Sequence, residues 1–547
     1  MPPRPTSRLT ALAAILSAGV GVALAQSPFT LADTLRGSLS LERLCYDVRH
    51  YDLALDLYPA DSTLAGTVRI AYERHFAHPE LQLDLAERLE VTAITRDGAP
   101  LPYRRVGDAV FVADPLGTAD GTVDTLVIGY RGRPQIARNP PWDGGLVWRR
   151  DSLGRVFAGV SCEGIGASIW WPNKDHLSDE PDSVRFSMSA PSALRVVSNG
   201  QFRGTTPEGD RTRYHYATTY PINNYNVTFY AGYYARFADT LRSPARETPL
   251  AIEYQVLDYN LARARRHFRQ VKPMLRCYER ALGPYPFWRD GYRVVEAPYL
   301  GMEHQSAIAY GNQYMRGYLG RLIPEDMDWD YLLVHESGHE YFGNAVSVGD
   351  HAEMWLHESF TTYLEALYVE CRYGRGDYAR YLASQRDFLL NERPIVGPLG
   401  VNFGDFGGSD HYFKGSWVLH TFRTLVGDEA FMGLLRDFYE SHAIGRVTTA
   451  DWLDCVAAHF GDGYAAFWRQ YLYEAAVPKL HVLPTARGGS LAFFSGTVPG
   501  FAMDLRVGEE LVRVTDQPTA SDVPLSAWGG FRQNDYLLTY DIRAAPE

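Results

Sequence analysis

Two histidines four residues apart, with a glutamate directly after the first, are the strongest chemical feature of this sequence: Val334-His335-Glu336-Ser337-Gly338-His339-Glu340. On a helix, positions four apart share one face, so His335 and His339 can present their imidazoles to one metal ion. Glu336 lies where a carboxylate can face a water bound to that metal. Zinc in hydrolases commonly takes three protein ligands and keeps a fourth position for water, so a third ligand is required. Glu358 follows His339 after eighteen residues, inside Trp355-Leu356-His357-Glu358-Ser359-Phe360-Thr361-Thr362-Tyr363-Leu364-Glu365. Glu365 is seven residues further on, near the same helical face, and can accept a hydrogen bond from a ligand histidine and so set its tautomer. One zinc ion per chain is expected at His335, His339 and Glu358. His351 and His357 lack the required spacing and read as ordinary polar residues. An isolated H-E-x-x-H can also arise by chance on a solvated helix; the spaced Glu358 and its surroundings favour the metal.

Several elements must position these groups. From about Tyr46 to Phe237 the sequence reads as strands and turns: Tyr51, Leu53, Leu55 and Leu57 alternate with polar or small residues, as do Leu64, Val68, Ile70 and Tyr72. Thr122 to Tyr130 and Asn224 to Phe237 are rich in β-branched and aromatic residues. The character changes near Asp258. Tyr259 to Leu282 has helical periodicity, which Pro273 is expected to kink or divide. Another helix is expected to open at Pro324-Glu325-Asp326, where a first-turn proline and acids favour a helix start. Short β-like runs return after Pro478. The fold class expected is multidomain α+β: an all-β N-terminal domain (26–245), a mostly α catalytic domain (246–476) and a small C-terminal β domain (477–547).

At 547 residues, two to four domains are expected. Residues 1–25 read as a secretory signal. Arg4 and Arg8 give the basic start, Leu9 to Val22 the apolar run, and Ala23-Leu24-Ala25 the small-x-small cleavage site before Gln26. A secreted or periplasmic location is the expectation, and no later stretch is long and apolar enough to span a bilayer. Removing two arginines with the signal takes the formal net charge from −12 to −14. An acidic surface argues against a nucleic-acid partner. The five cysteines show no C-x-x-C spacing, which makes a cysteine metal site improbable. Export permits one or two disulfides, the odd count leaves at least one thiol unpaired, and the pairing is open.

The motif set resembles the M1 family of zinc aminopeptidases, the gluzincins, in a short bacterial-type form. The match rests on H-E-x-x-H, the eighteen-residue spacer and Glu358 within its W-L-x-E-x-x-x-x-Y-L-E run. A second signature, the family's G-x-M-E-N loop, reads here Leu300-Gly301-Met302-Glu303-His304-Gln305, with Leu300 and His304 replacing the usual Gly and Asn. Ser161-Cys162-Glu163-Gly164-Ile165-Gly166-Ala167, followed by Trp171-Pro172 and Asp175, is similar to the family segment that supplies a Gln or Glu to the substrate amine. Tyr412-Phe413-Lys414-Gly415 resembles its Y-x-K-G segment. The resemblance implies a β saddle, a thermolysin-like catalytic domain and a β sandwich. A further large helical domain carried by many members is expected to be missing.

The resemblance also implies roles. Glu336 would act as general base, and Tyr412 would donate to the oxyanion. Gly301, Met302 and Glu303, with Glu163, would bind substrate, the two carboxylates pairing with a free α-ammonium. Peptides are the substrates implied; the oligomeric state cannot be read. Rival functions are a zinc epoxide hydrolase, a catalytically inactive peptide-binding scaffold and an endopeptidase. The full set of His335, Glu336, His339, Glu358 and Tyr412 argues against a scaffold, and the amine clamp against an endopeptidase.

Overall fold

The computed structural model describes residues 29–114 and 121–543, so the expected signal segment lies outside the described residues. The N-terminal region is β-rich, as its alternating pattern requires. In the strand Tyr46–Tyr58, Tyr51, Leu53, Leu55 and Leu57 are fully buried while the residues between them reach the surface. This strand pairs antiparallel with Thr63–Arg74 and parallel with Ser183–Pro191 in the middle of an eight-stranded sheet. A separate four-stranded sheet has the hairpin Gly145–Arg150 and Val156–Ser161 at its edge, with Gly145 opposite Ser161. That hairpin aims the following residues, Cys162 to Gly166, at the catalytic region.

The catalytic region is built on a five-stranded mixed sheet, in the order Tyr234–Leu241, Leu250–Leu257, Tyr292–Glu296, Ile308–Tyr310, Gly301–Met302. Its first two strands form one hairpin whose turn contains residue 245, so this sheet starts ahead of the boundary expected at 245/246. Helices Tyr331–Gly338, Trp355–Tyr373 and Phe413–Val426 bring the chemical groups together beside the sheet's edge strand, Gly301–Met302. A disulfide, Cys277–Cys371, ties the helix Val271–Leu282 to the end of Trp355–Tyr373; Cys45, Cys162 and Cys455 are unpaired. The small C-terminal region, with strands from Lys479–Pro484 to Thr539–Ile542, docks on the catalytic helices. The Tyr471 hydroxyl donates to Leu537 O (2.5 Å), and Leu537 N donates to the Thr421 hydroxyl (2.8 Å). No helix among the described residues is long and apolar enough to cross a membrane.

Two helix expectations need correction. No helix starts at Pro324. Residues 324–327 form a turn closed by Met327 N donating to Pro324 O (3.0 Å), and the Arg316 guanidinium also donates to the carbonyls of Pro324 (2.5 Å) and Met327 (2.9 Å). The helix begins at Tyr331, where the Asp330 carboxylate accepts from Leu333 N at 3.0 Å and caps the first turn. Nor does Pro273 divide the earlier helical stretch. The break is a 3₁₀ turn at Phe268–Gln270, and Pro273 falls in the first turn of Val271–Leu282, where no N–H partner is needed.

Candidate active site

His335 and Glu336 lie in the last turns of the helix Tyr331–Gly338, and His339 follows as its C-cap. Their imidazoles are fixed from behind. His335 Nδ1 donates to Glu365 Oε1 at 2.5 Å, and the Tyr381 hydroxyl donates to the other Glu365 oxygen. His339 Nδ1 donates to Phe342 O at 3.0 Å and lies 3.1 Å from the Thr361 hydroxyl. A carboxylate and a carbonyl can only accept, so both Nδ1 atoms carry the proton, and in the neutral imidazoles that a metal requires both Nε2 atoms are bare lone pairs.

Those two lone pairs are 3.1 Å apart, and the Glu358 Oε2 atom lies 3.5 Å from one and 3.4 Å from the other. Glu358 Oε2 is buried with no hydrogen-bond partner. Three acceptors converging without a proton between them repel one another unless a cation lies among them. An ion with ligands at about 2.0–2.1 Å in tetrahedral geometry separates its ligand atoms by about 3.3–3.4 Å. The observed spacings fit zinc, and His335, His339 and Glu358 form a metal-competent group among the described residues.

Close packing explains two glycines of the motifs. A Cβ on Gly301 would stand 2.3 Å from Glu336 Oε1 and 2.5 Å from Leu332 Cδ1, so the edge strand approaches the Glu336 carboxylate as only glycine allows. A Cβ on Gly415 would stand 1.7 Å from the Ser359 hydroxyl, which itself donates to His411 O at 2.6 Å. The chain around Tyr412 is thereby held against the helix bearing Glu358. The Tyr412 ring stacks on His335 with centroids 6.0 Å apart.

The carboxylates of the site are strained electrostatically. Burial pushes Glu336 up to about 8, against the pull of His335 and His339. Burial also raises Glu163, and Glu303 adds repulsion. Glu303 is 3% exposed, burial raises it while His339 holds it down in part, and its Oε1 has no partner. Its loop is pinned by Asn344, whose side chain donates to Glu303 O (2.7 Å) and accepts from the Asn226 side chain (2.9 Å). A substrate cation between Glu163 and Glu303 would relieve both carboxylates.

All ten residues expected from the sequence lie in this region. Nine of them line one cleft of about 810 Å³, and Glu365 stands behind His335. His351, read as an ordinary polar residue, also lines the cleft; His357 does not, and its Nε2 accepts from Val348 N at 2.9 Å. Sequence reasoning missed Tyr381, Thr361, Asn344 and Ser359, which hold the chemical groups in place. Only Asp330, three residues ahead of a backbone N–H that it caps, left a local signal.

Residues 268–471 match the family description "Peptidase family M1 domain". Aminopeptidase N of Streptomyces lividans is 24% identical over 325 residues, 55% of this chain and 36% of the relative. Leukotriene A-4 hydrolase of Xenopus laevis is 23% identical over 325 residues, 54% of this chain and 50% of the relative. The chain therefore spans half or less of the length of these two relatives. An M1 zinc metallopeptidase of Deinococcus radiodurans bound to a Tyr-Ser-Ala substrate shares the fold, with a TM-score of 0.67 and 22% identity over 81% of this chain and 98% of that one. The zinc-competent trio, the Met302-Glu303 loop and Tyr412 all fall within residues 268–471, the region that is similar to the peptidase family M1 domain.

Proposed function

We propose that the protein is a zinc-dependent aminopeptidase that removes single residues from the free N-terminus of peptides. The observation that carries this reading is the pair of carboxylates, Glu163 and Glu303, lining the same cleft as the donor trio. His335, His339 and Glu358 hold one zinc ion, which supplies Lewis acidity to the scissile carbonyl and to a water molecule. Glu336 takes the proton of the attacking water and delivers it to the leaving amine as the C–N bond breaks. Tyr412 donates to the oxyanion as it forms. Glu365 keeps His335 in its metal-binding tautomer.

Glu163 and Glu303 share the substrate ammonium through charge-assisted hydrogen bonds, with Gly301 and Met302 forming the floor beside it. This fixes the register, so the first peptide bond is the one presented to the trio. The reading includes export: residues 1–25 act as a signal cleaved after Ala25, and the mature chain works outside the cytoplasm or in a periplasm. The Cys277–Cys371 disulfide supports an oxidising compartment. The test compares free and N-acetylated peptides with and without a zinc chelator. Cleavage of the free form alone, abolished by the chelator, is the expected result. Efficient cleavage of acetylated peptides at internal bonds would replace this reading with an endopeptidase.

A further inference from the structure

Trp142 stands out as a large apolar side chain with no settled place. It is 64% exposed, yet it lines the same cleft as Glu163, Glu303 and the donor trio. Its position follows from strand register. Gly145 and Ser161 are opposite one another at the open end of the hairpin Gly145–Arg150 and Val156–Ser161. Trp142 precedes that end by three residues and Glu163 follows it by two, so both segments leave the same end of the hairpin.

The two segments are also locked together. Gly144 has φ +61°, and a Cβ there would stand 2.4 Å from the Ile165 side chain. Backbone bonds hold the Trp142 loop from within: Gly144 N donates to Pro141 O (3.1 Å), and Arg138 N to the Asp143 carboxylate (2.6 Å). The indole is therefore exposed on a hydrogen-bonded loop, in the cleft that also holds the carboxylate proposed to take the substrate ammonium. The side chain of the residue bearing that ammonium branches from the adjacent carbon and must lie within reach.

The rest of the cleft sets the chemistry of that side chain. Among the described residues, outside the trio, Glu336 and the two clamp carboxylates, the one charged side chain lining it is Asp405, which pairs with Arg393 at 2.6 Å. His351 and His411 are held down at about 4 by burial and are neutral near pH 7. Met302, Met354, Leu300 and Phe406 add apolar surface. Among the described residues, no buried lining group outside the proposed chemical set carries a charge that could pair with a charged first side chain.

We infer that Trp142 forms one wall of the subsite for the first residue and selects peptides whose N-terminal side chain is large and apolar. The inference rests on the aminopeptidase reading and adds the substrate class. On binding, the indole face is covered by the substrate side chain, and water leaves both surfaces.

The test measures kcat/KM of wild type, Trp142→Ala and Trp142→Phe on aminoacyl reporters carrying Ala, Leu, Phe, Lys or Asp, each free and N-acetylated. Wild type is expected to prefer Leu and Phe. Trp142→Ala is expected to lower the Leu-to-Ala and Phe-to-Ala ratios by about 10–50-fold, mainly through KM, while Trp142→Phe keeps most of the preference. Thermal unfolding should be unchanged, because the indole is largely exposed. An equal loss on all free reporters, no loss, or a wild-type preference for Ala, Lys or Asp overturns the role of Trp142 while leaving the aminopeptidase reading standing. Acetylated reporters cleaved as fast as free ones overturn that reading, and this inference with it.

Discussion

Adding one methyl group at Gly301 tests whether the edge strand positions the proposed base. The new Cβ would lie 2.3 Å from Glu336 Oε1, 2.5 Å from Leu332 Cδ1 and 3.0 Å from Glu336 Cδ. An ordinary contact needs about 3.5 Å, so the carboxylate must retreat by about 1 Å. Gly301 does not need a positive φ, so alanine suits the backbone and the strain falls on these side-chain ends. A 1 Å misplacement of a catalytic group costs about 10²-fold in rate, near 2.7 kcal/mol. Overpacking costs about 1–3 kcal/mol of stability, at the lower end where flexible side chains can yield. Gly301→Ala should therefore lose about 10²-fold in kcat on a free aminoacyl reporter. Zinc content by elemental analysis should stay at wild-type level, and unfolding should shift only modestly. A kcat within about threefold of wild type would refute the assignment of Glu336 as a base held by this contact. Loss of zinc would show that the strain reaches the ligands instead.

The other substitutions separate the remaining roles. Glu336→Gln should retain zinc and lose turnover, whereas His335→Ala should lose both; zinc stripped from Glu336→Gln would reverse the division of roles. Glu303→Gln should weaken kcat/KM for free peptides by about 2–3 kcal/mol, as expected for a lost charge-assisted hydrogen bond. An unchanged kcat/KM in that variant would remove Glu303 from the amine clamp. Tyr412→Phe keeps the stacking on His335 and removes one donor. Its kcat should fall by about 10²–10³-fold with KM and zinc content little changed, and a near-neutral result would make Tyr412 a packing residue.

What could be read without the structure was whatever local periodicity encodes. His335 and His339 are one helical repeat apart, and Glu358 and Glu365 are two apart on another helix, so their shared faces follow from 3.6 residues per turn. The strands near Tyr51 and Leu64 were equally legible, because alternation marks a half-buried sheet. Local signals failed where a distant group took over a backbone atom. Pro324-Glu325-Asp326 carries the marks of a helix start, but Arg316 donates to the Pro324 carbonyl and the cap passes to Asp330. The spacing between His339 and Glu358 suggested a third ligand; only the packing of the two helices brings the three donor atoms to within 3.5 Å of one another.

The same limit applies to the supports of the site. Nothing local says that Gly301 faces Glu336, that Gly415 lies on Ser359, or that Gly144 packs on Ile165. Each of these contacts joins segments brought together by buried surface summed over the whole core. By itself the sequence determined which residues could bind a metal and move a proton, because within each of two helices those residues recur at the helical repeat. Tertiary packing alone decided what surrounds them, since close contact between distant segments leaves no periodic trace in either one.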